Sequence, residues 1–146
     1  MSAARNILLV VLSGGRADRL SCSRHDRETT PFVEQMAREG VRFTHAYTTA
    51  PRSASACASM LTGLFPSAHG ATSETGLLPA TRRLLSEHLA AAGYRTAAFC
   101  SDSKISPATG FGRGFDRFHT RRGTGCVAGR AADYVRRASD RGLGRR

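Results

Sequence analysis

An apolar run near the N-terminus constrains the fold of this chain most. Asn6–Leu12 reads NILLVVL, and an unbroken run of leucine and β-branched residues is typical of a strand that is covered on both faces in a parallel sheet. Ser13, Gly14 and Gly15 follow directly and predict a flexible loop. A strand covered on both faces needs packed layers above and below it, so this run favours an α/β fold.

The rest of the chain alternates between helix and strand patterns. Thr30 and Pro31 predict a helix start, with Thr30 as the N-cap, and Gly40 predicts its end. Further patterns predict a strand over Val41–Tyr47, a short buried helix over Ala54–Leu61, an amphipathic helix from Leu84 to Gly93, a strand over Tyr94–Cys100, and a charged helix over Ala131–Ala138. We therefore predict a mostly parallel sheet with helices on both faces, with ligands at the carboxyl ends of the strands.

Composition narrows the classes of function. The chain has 146 residues and a formal net charge of +11, and Lys104 is the single lysine among 22 basic residues. Such a charge can indicate nucleic-acid binding, but the arginines are scattered and no aromatic residues alternate with them. We interpret the arginine bias as codon usage and expect no nucleic-acid partner.

Length and cysteine spacing limit the compartment and the metal chemistry. No segment approaches 18 apolar residues, so no membrane partner is predicted. The apolar run is too short for a signal-peptide core, which favours the cytoplasm. The four cysteines, at 22, 57, 100 and 126, have no C-x-x-C spacing and are predicted to be reduced.

Five segments in order carry a family resemblance: RADRLSC, TTPFVEQMAREGVRFTHAYTTAP, ASMLTGLFPSAHG, LLSEHLAAAGYRTAAF and GFGRGFDRF. In this order they resemble the N-terminal part of the sulfatase family, within the alkaline phosphatase superfamily. The resemblance implies a truncated, alkaline-phosphatase-like α/β fold that covers about the first third of a typical member. It also implies an incomplete sulfatase-like domain over residues 1–122, followed by an Arg-rich helix or tail over residues 123–146.

The resemblance also implies a calcium site, but this chain differs from the family at a ligand position of that site. Sulfatases hydrolyse sulfuric esters with a bound divalent cation, usually calcium, and an acidic ligand follows their first strand. Ser13 stands at that position here. Calcium takes six to eight oxygen ligands and favours carboxylates, and the other family ligands lie beyond residue 146. We therefore expect neither a metal site nor a cofactor in this chain.

The nucleophile motif departs from the family as well. Alignment on Ala58–Gly63 places Ser53 at the nucleophile, Ser55 at a family proline and Cys57 at a family arginine. Family nucleophiles are oxidised to formylglycine by an enzyme that reads the proline and arginine, so Ser53 is expected to stay an ordinary serine. A serine hydroxyl is a poor nucleophile without an activating base or metal. The motif thus predicts a truncated enzyme or pseudoenzyme.

Other residues of the implied site have two interpretations each. Ser53 precedes a helix whose N-terminus favours an anion, with Arg16 and Arg52 nearby in the motifs; the alternative is that Ser53 or Ser55 only caps that helix. His69 matches the P-x-x-H-G turn and is either a substrate-binding residue or a structural turn histidine. A family Lys and His after the GY-x-T segment are replaced by Ser101 and Ser103. A buried Cys57 is expected to be inert rather than a displaced nucleophile.

These observations leave several functions open. The chain is either a hydrolase fragment that is inactive by itself, or a non-catalytic module that binds a sulfate or phosphate ester. If any hydrolytic activity remains, Ser53 is expected to be the attacking group and Arg16 to contact the oxyanion. A basic nucleic-acid-binding protein is the remaining alternative. Because the fold implied by the resemblance is larger than 146 residues, the possible protein partners are a missing C-terminal half or a second copy.

Overall fold

The computed structural model describes residues 6–23, 27–72, 77–120, 131, 133, 134 and 136. Its helices are α1 (Pro31–Glu39), α2 (Ser53–Thr62), α3 (Pro66–His69) and α4 (Leu85–Ala91), and its strands are β1 (Ala97–Cys100) and β2 (Arg117–Thr120). Single 3₁₀ turns lie at Ala17–Arg19, Ser21–Ser23 and Pro107–Thr109. Strands β1 and β2 pair in parallel, with Phe99 opposite His119. Helices with a small parallel sheet confirm the α/β class.

The chain divides into two compact units. The first is Leu8–Tyr47, and the second runs from Thr48 onward and includes the few residues before Leu8. The predicted boundary at residue 122 lies outside the described residues, as does most of the predicted tail; residues 131, 133, 134 and 136 are helical. None of the helices in the described parts of the chain is long and apolar enough to cross a bilayer.

A small apolar core holds the unit that begins at Thr48. Leu84 and Phe111 are fully buried at its centre. They pack with the small face of α2 and with the loop that precedes α4, through Ala54, Ala58, Ala71 and Leu78. Cys57 and Phe118 pack against this core from its edge. The core therefore joins α2, α4 and the β2 strand into one folded body.

The segment between the two strands makes hydrogen bonds that connect several parts of this unit. The Arg113 guanidinium donates to four backbone carbonyls, those of Pro79, Ala80, Arg82 and Gly110, at 2.7–3.2 Å. The Ser86 hydroxyl donates to the Arg113 carbonyl at 2.7 Å. Arg113 thus fixes the loop before α4, and Ser86 fixes α4 itself, against the turn that leads into β2.

Reciprocal bonds set the start of the sheet. Thr96 donates its backbone N–H to Asp116 Oδ2 at 3.1 Å, and its hydroxyl accepts the Asp116 N–H at 3.0 Å. The same hydroxyl donates to the Gly114 carbonyl at 2.6 Å. These bonds hold the residues just before β1 and β2 side by side, and this fixes the parallel register.

The unit Leu8–Tyr47 is organised around the start of α1. The Ser21 hydroxyl accepts the backbone N–H groups of Thr29 and Thr30, at 2.9 and 2.8 Å, and the Thr30 hydroxyl accepts the Ser21 N–H at 3.0 Å. Helix α1 then begins at Pro31 after the N-cap Thr30, and Gly40 is its C-cap. The predicted first helix is confirmed at both ends.

Two predicted strands are absent from the described structure. Asn6–Leu12 and Val41–Tyr47 contain no strand, and the side chains of Ile7–Leu12 are 48–72% exposed. A strand exists only where a neighbouring backbone completes its ladder of hydrogen bonds. No described segment pairs with either one, so their β-favouring composition leaves them irregular here.

Candidate functional site

The N-terminus of α2 carries Ser53, the residue predicted at the nucleophile position. Arg52 is the N-cap, with extended backbone angles of φ −100° and ψ 134°, and its side chain makes no capping bond. Ser53 is the first helical residue and is half-buried. The first turn contains no acidic residue. Such a turn directs backbone N–H groups and the positive end of the helix dipole toward an anion.

The expectation that Ser53 or Ser55 caps α2 is wrong. The N-cap is Arg52, whose carbonyl accepts the Ala56 N–H at 2.9 Å. Ser55 lies inside the first turn and is 5% exposed, in the apolar packing of the helix. The helix therefore starts one residue earlier than its Ala-rich pattern indicates, and its cap residue is a cation rather than a hydroxyl.

His69 is fully buried behind this helix. It ends the short helix α3, and its Nε2 lies 3.0 Å from the Ser59 hydroxyl on α2. Its Nδ1 accepts the Ala71 backbone N–H at 3.0 Å. Because Nδ1 accepts, a neutral His69 carries its proton on Nε2 and donates it to Ser59. Burial lowers the pKa of His69, which favours this neutral form.

This geometry supports the structural interpretation of His69. Both ring nitrogens are used inside the protein, and no part of the ring is exposed to meet a substrate. The side chain instead connects α3 to Ser59, which lies on α2 nearly two helical turns after Ser53. Its partner Ser59 was not singled out from the sequence, since a serine in the middle of a helix usually faces solvent or bonds locally.

Cys57, which the motif predicts at the position of a family arginine, packs against the core. Its side chain is half-buried beside the apolar cluster. Burial, with smaller contributions from Cys100 and Asp102, raises the pKa of the Cys57 thiol to about 11. The thiolate is the nucleophilic form of cysteine, so this environment supports the expectation that Cys57 is inert.

Alkylation measures this inertness. At pH 8 we expect Cys57 of the folded chain to react with iodoacetamide at least tenfold more slowly than in 8 M urea. A pKa higher by two units reduces the thiolate about a hundredfold, and the greater nucleophilicity of that thiolate recovers about tenfold. Mass spectrometry of the Cys57 peptide over time gives both rates. Equal rates in the two solutions would contradict the buried, protonated thiol.

The loop after the apolar run contains Ser13, the residue predicted at the metal-ligand position. Ser13 is exposed, and Gly15 N–H donates to the Leu12 carbonyl at 3.2 Å across this turn. The Asp18 carboxylate is paired with Arg16, from Nε at 3.0 Å and Nη2 at 2.6 Å. The Arg16 hydrogen bonds lower the pKa of Asp18. The carboxylate that follows Ser13 first in the chain is therefore paired with a guanidinium, and a neutral serine hydroxyl beside such a pair does not fit a calcium ion.

The predicted site residues fall in both units of the chain. Ser13 and Arg16 belong to Leu8–Tyr47, whereas Ser53 and His69 belong to the unit that begins at Thr48. Within residues 6–23, 27–72 and 77–120, no three His, Cys, Asp or Glu side chains form a group that could hold a metal ion.

The two serines predicted at the positions of a family Lys and His follow β1. Ser101 and Ser103 are both exposed at the carboxyl end of that strand. Asp102 lies between them, and its Oδ1 accepts the Lys104 backbone N–H at 2.9 Å. Lys104 therefore belongs to a local turn. The two exposed hydroxyls carry no charge for an anion.

Comparison with known proteins places these observations in a family. The Sulfatase family model matches residues 5–127 of the chain. The chain is 33% identical over 92 residues to an arylsulfatase of Clostridium perfringens, which covers 62% of this chain. It is 34% identical over 97 residues to human arylsulfatase A, again 62% of this chain. It is 28% identical over 106 residues, 73% of this chain, to an N-acetylglucosamine-6-O-sulfatase of Bacteroides thetaiotaomicron.

The matched relatives are much longer than this chain. The match spans 19% of the length of each of these three proteins, which is less than the third expected from the motifs. No solved structure matches the chain significantly.

Proposed function

We propose that this chain, which belongs to the sulfatase family, does not hydrolyse sulfate esters by itself. The observation that carries the proposal is the first half of α2. Ser53 stands at the nucleophile position, and the family arginine is replaced by Cys57, whose thiol is half-buried with a pKa of about 11. Ser53 therefore lacks the proline and arginine that direct modification of the family nucleophile. The protonated thiol of Cys57 also supplies no positive charge in place of the arginine. The Ser53 hydroxyl thus stays a weak nucleophile.

The loop at Ser13 supports the same proposal. A sulfatase reaction needs charge stabilisation of the ester by a cation, and the one carboxylate of the loop, Asp18, is neutralised by Arg16 at 2.6 Å. An ester at Arg16 would compete with this pair, which is exposed and therefore weak. In this proposal the chain is a pseudoenzyme that keeps the family scaffold.

Assays of ester hydrolysis test the proposal. With 4-methylumbelliferyl sulfate and 5 mM calcium, we expect the purified chain to show no turnover above that of Ser53→Ala. The arylsulfatase of Clostridium perfringens in the same assay serves as the positive control. Turnover by the chain that Ser53→Ala abolishes would contradict a non-hydrolysing role and would identify Ser53 as the attacking group.

A second candidate function is weak binding of sulfate or phosphate esters. Helix α2 favours it, since its first turn follows a cationic N-cap and contains no carboxylate. Backbone N–H groups at such a helix start bind anions without any catalytic residue. Ser53 would then position the ester, and its hydroxyl would donate a hydrogen bond rather than attack.

Calorimetry with methyl sulfate and phenyl phosphate tests this candidate. We expect millimolar dissociation constants that Arg52→Gln weakens about fivefold, because removal of one nearby charge at a helix N-terminus costs about 1 kcal/mol. Arg83→Gln, at an exposed arginine before α4, is the matched control and should bind like the parent chain. No heat at 10 mM of either ligand would eliminate the binding module.

The partners and compartment belong to the same proposal. The remainder of a sulfatase fold, or a second copy of the chain, would complete the small sheet and core described above. The absence of nucleic-acid partners and the cytoplasmic location stay predictions from the sequence.

A further inference from the structure

Two free cysteines lie beside the same apolar core but on different elements of the fold. Cys57 lies on α2 and Cys100 is the last residue of β1, and both are half-buried thiols. Both belong to the unit that begins at Thr48. Their position relative to each other is therefore set within one folded body.

Cys57 lies on the face of α2 that packs against the core. Ala54 and Ala58 of this face are buried in the apolar cluster, and Cys57 and Leu61 pack against the cluster from its edge. Spacings of three and four residues place these four side chains on one side of a helix. The Cys57 thiol is therefore directed toward the core.

The pleat of the small sheet directs Cys100 toward the same core. Ala98 is paired with Phe118, and Cys100 with Thr120. Because successive side chains of a strand point to opposite faces of the sheet, Cys100 shares a face with Ala98 and with its partner Phe118. Phe118 packs against the apolar cluster, so this face of the sheet is the one that meets the core.

Aromatic rings occupy the opposite face of the sheet. Phe99 and His119 stack there with ring centroids 4.9 Å apart, and the Tyr134 ring lies 5.6 Å from that of Phe99. Since Phe99 directly precedes Cys100, these contacts show that the alternation of side chains holds to the end of β1. The Cys100 thiol therefore points away from the aromatic rings.

The turn after β1 also connects Cys100 to the core. The Asp102 carbonyl accepts the Cys100 thiol at 3.5 Å and the Ile105 N–H at 3.1 Å. Ile105 packs against the same apolar cluster as Cys57. A neighbour of Cys100 across the sheet and another along the turn therefore both contact the core on which Cys57 lies.

The electrostatics of Cys57 agree with this placement. Burial, then the charge of Cys100, then that of Asp102 raise the pKa of the Cys57 thiol to about 11. A Coulomb interaction weakens as the distance between two charges increases. The effect of Cys100 on Cys57 therefore identifies the two thiols as neighbours in the fold.

We propose that Cys57 and Cys100 are a redox-sensitive pair, which a peroxide joins into a disulfide between α2 and the end of β1. One thiolate attacks hydrogen peroxide: an S–O bond forms, the O–O bond breaks, and the leaving hydroxide takes up a proton as water. The second thiol then attacks the sulfenic sulfur, so that the S–S bond forms and the S–O bond breaks. Its proton leaves with the oxygen as a second water. The two thiols lose two electrons, and one peroxide is reduced to two waters.

The environment of the pair determines when it reacts. Burial raises the pKa of both thiols, so few thiolates are present at neutral pH and the reaction is slow. The pair therefore stays reduced under reducing conditions and responds to sustained exposure to an oxidant. The disulfide would restrict the unfolded chain and stabilise the folded one. This pair is independent of ester turnover and of anion binding at α2.

Peptide mapping of the parent chain tests the pairing. The chain, at about 2 µM, is treated with hydrogen peroxide, alkylated in urea and digested without reduction. We expect the linked peptides of Cys57 and Cys100 to be at least tenfold more abundant than any other linked pair, including those with Cys22 or Cys126. Oxidation in 8 M urea should abolish this preference, because the fold then no longer holds the two thiols together.

This measurement does not depend on whether a variant folds. Disulfides in other combinations, with Cys57 and Cys100 still present as thiols, would overturn the proposal. Oxidation of either cysteine to sulfinic acid without a cross-link would overturn it as well, and so would disulfides that join two chains. Ester turnover and anion binding are measured separately, so these outcomes leave the proposed function intact.

Thermal unfolding measures the effect of the cross-link. We expect peroxide to raise the unfolding temperature of the parent chain by about 5 °C or more, and dithiothreitol to reverse the rise. Cys100→Ser should remove the rise. Cys22→Ser, at a half-buried cysteine of the other unit, is the matched control and should retain it. A rise that persists in Cys100→Ser would overturn the assignment to this pair.

Discussion

Replacement of Gly114 by alanine is expected to lower the free energy of unfolding by about 2–4 kcal/mol. Gly114 has a φ of +73°, and a Cβ there would lie 2.6 Å from both the Ser86 carbonyl carbon and the Glu87 Cα. The left-handed conformation costs an alanine about 1 kcal/mol, and forced overpacking adds about 1–3 kcal/mol. Since a domain is stable by about 5–15 kcal/mol, this one methyl group removes a large part of that margin.

Gly93→Ala is the matched control for this experiment. Gly93 has a similar φ of +83°, but a Cβ there meets no atom within 4 Å. We expect it to lose only the conformational part, about 1 kcal/mol. Urea unfolding followed by circular dichroism gives both values. Equal losses for the two variants would show that the close approach of Gly114 to α4 is absent in solution.

Stability is expected to fall below about pH 6.5 because of His69. Burial lowers the pKa of His69 in the folded chain below its ordinary value of 6.5. The unfolded chain therefore binds the proton first as the pH falls, and this favours unfolding. The stabilisation is complete above pH 6.5 and is lost as the pH falls toward the folded pKa, at up to about 1.4 kcal/mol per pH unit. Protonation would also place an N–H on Nδ1 against the Ala71 N–H.

Two variants separate this effect from the titration of other groups. His69→Gln removes the titrating ring, so its stability between pH 7 and pH 5 should fall less steeply than that of the parent chain. His88→Gln, at an exposed histidine of α4, should follow the parent profile. Chemical unfolding at each pH measures the difference. A His69→Gln profile parallel to that of the parent chain would contradict the buried, neutral histidine.

The helices were predictable where the sequence contains explicit start and end signals. Thr30 and Pro31 mark the start of α1, and Gly40 marks its end, as the structure confirms. The start of α2 was missed by one residue, because an arginine N-cap has no characteristic side-chain signal. Helix α3 is a single turn that ends at His69, and it is too short to show a periodic pattern.

The strand predicted over Tyr94–Cys100 is confirmed as β1, but the two other strand predictions were wrong because strands depend on distant partners. Asn6–Leu12 has the composition of a central strand, but none of the described segments completes its ladder. Strand β2 was missed because Arg117–Thr120 has only four residues and one large apolar side chain, Phe118. Its strand conformation comes from the bonds between Thr96 and Asp116, which no local pattern reveals.

The candidate site was partly predictable for a related reason. Motif spacing located Ser53 at a helix start and Cys57 in apolar packing, and both placements agree with the structure. The partner of His69 was not predictable, since Ser59 lies ten residues earlier and meets it only after α3 turns the chain back onto α2. The positions of single site residues were therefore predicted better than the contacts between residues that are distant in sequence.

The bonds of Arg113 have a consequence for how such a chain changes through mutation. Its four carbonyl partners lie in two separate segments, and a lysine, with a single ammonium group, cannot reach both sets with the same geometry. Changes at the exposed Ser13 disturb little of the packing, whereas changes at Arg113 disturb the turn before α4 and the turn before β2 together. If selection no longer acted on ester turnover, positions such as Ser13 would therefore accept substitutions before positions such as Arg113. The family would then remain recognisable from the residues that stabilise the fold.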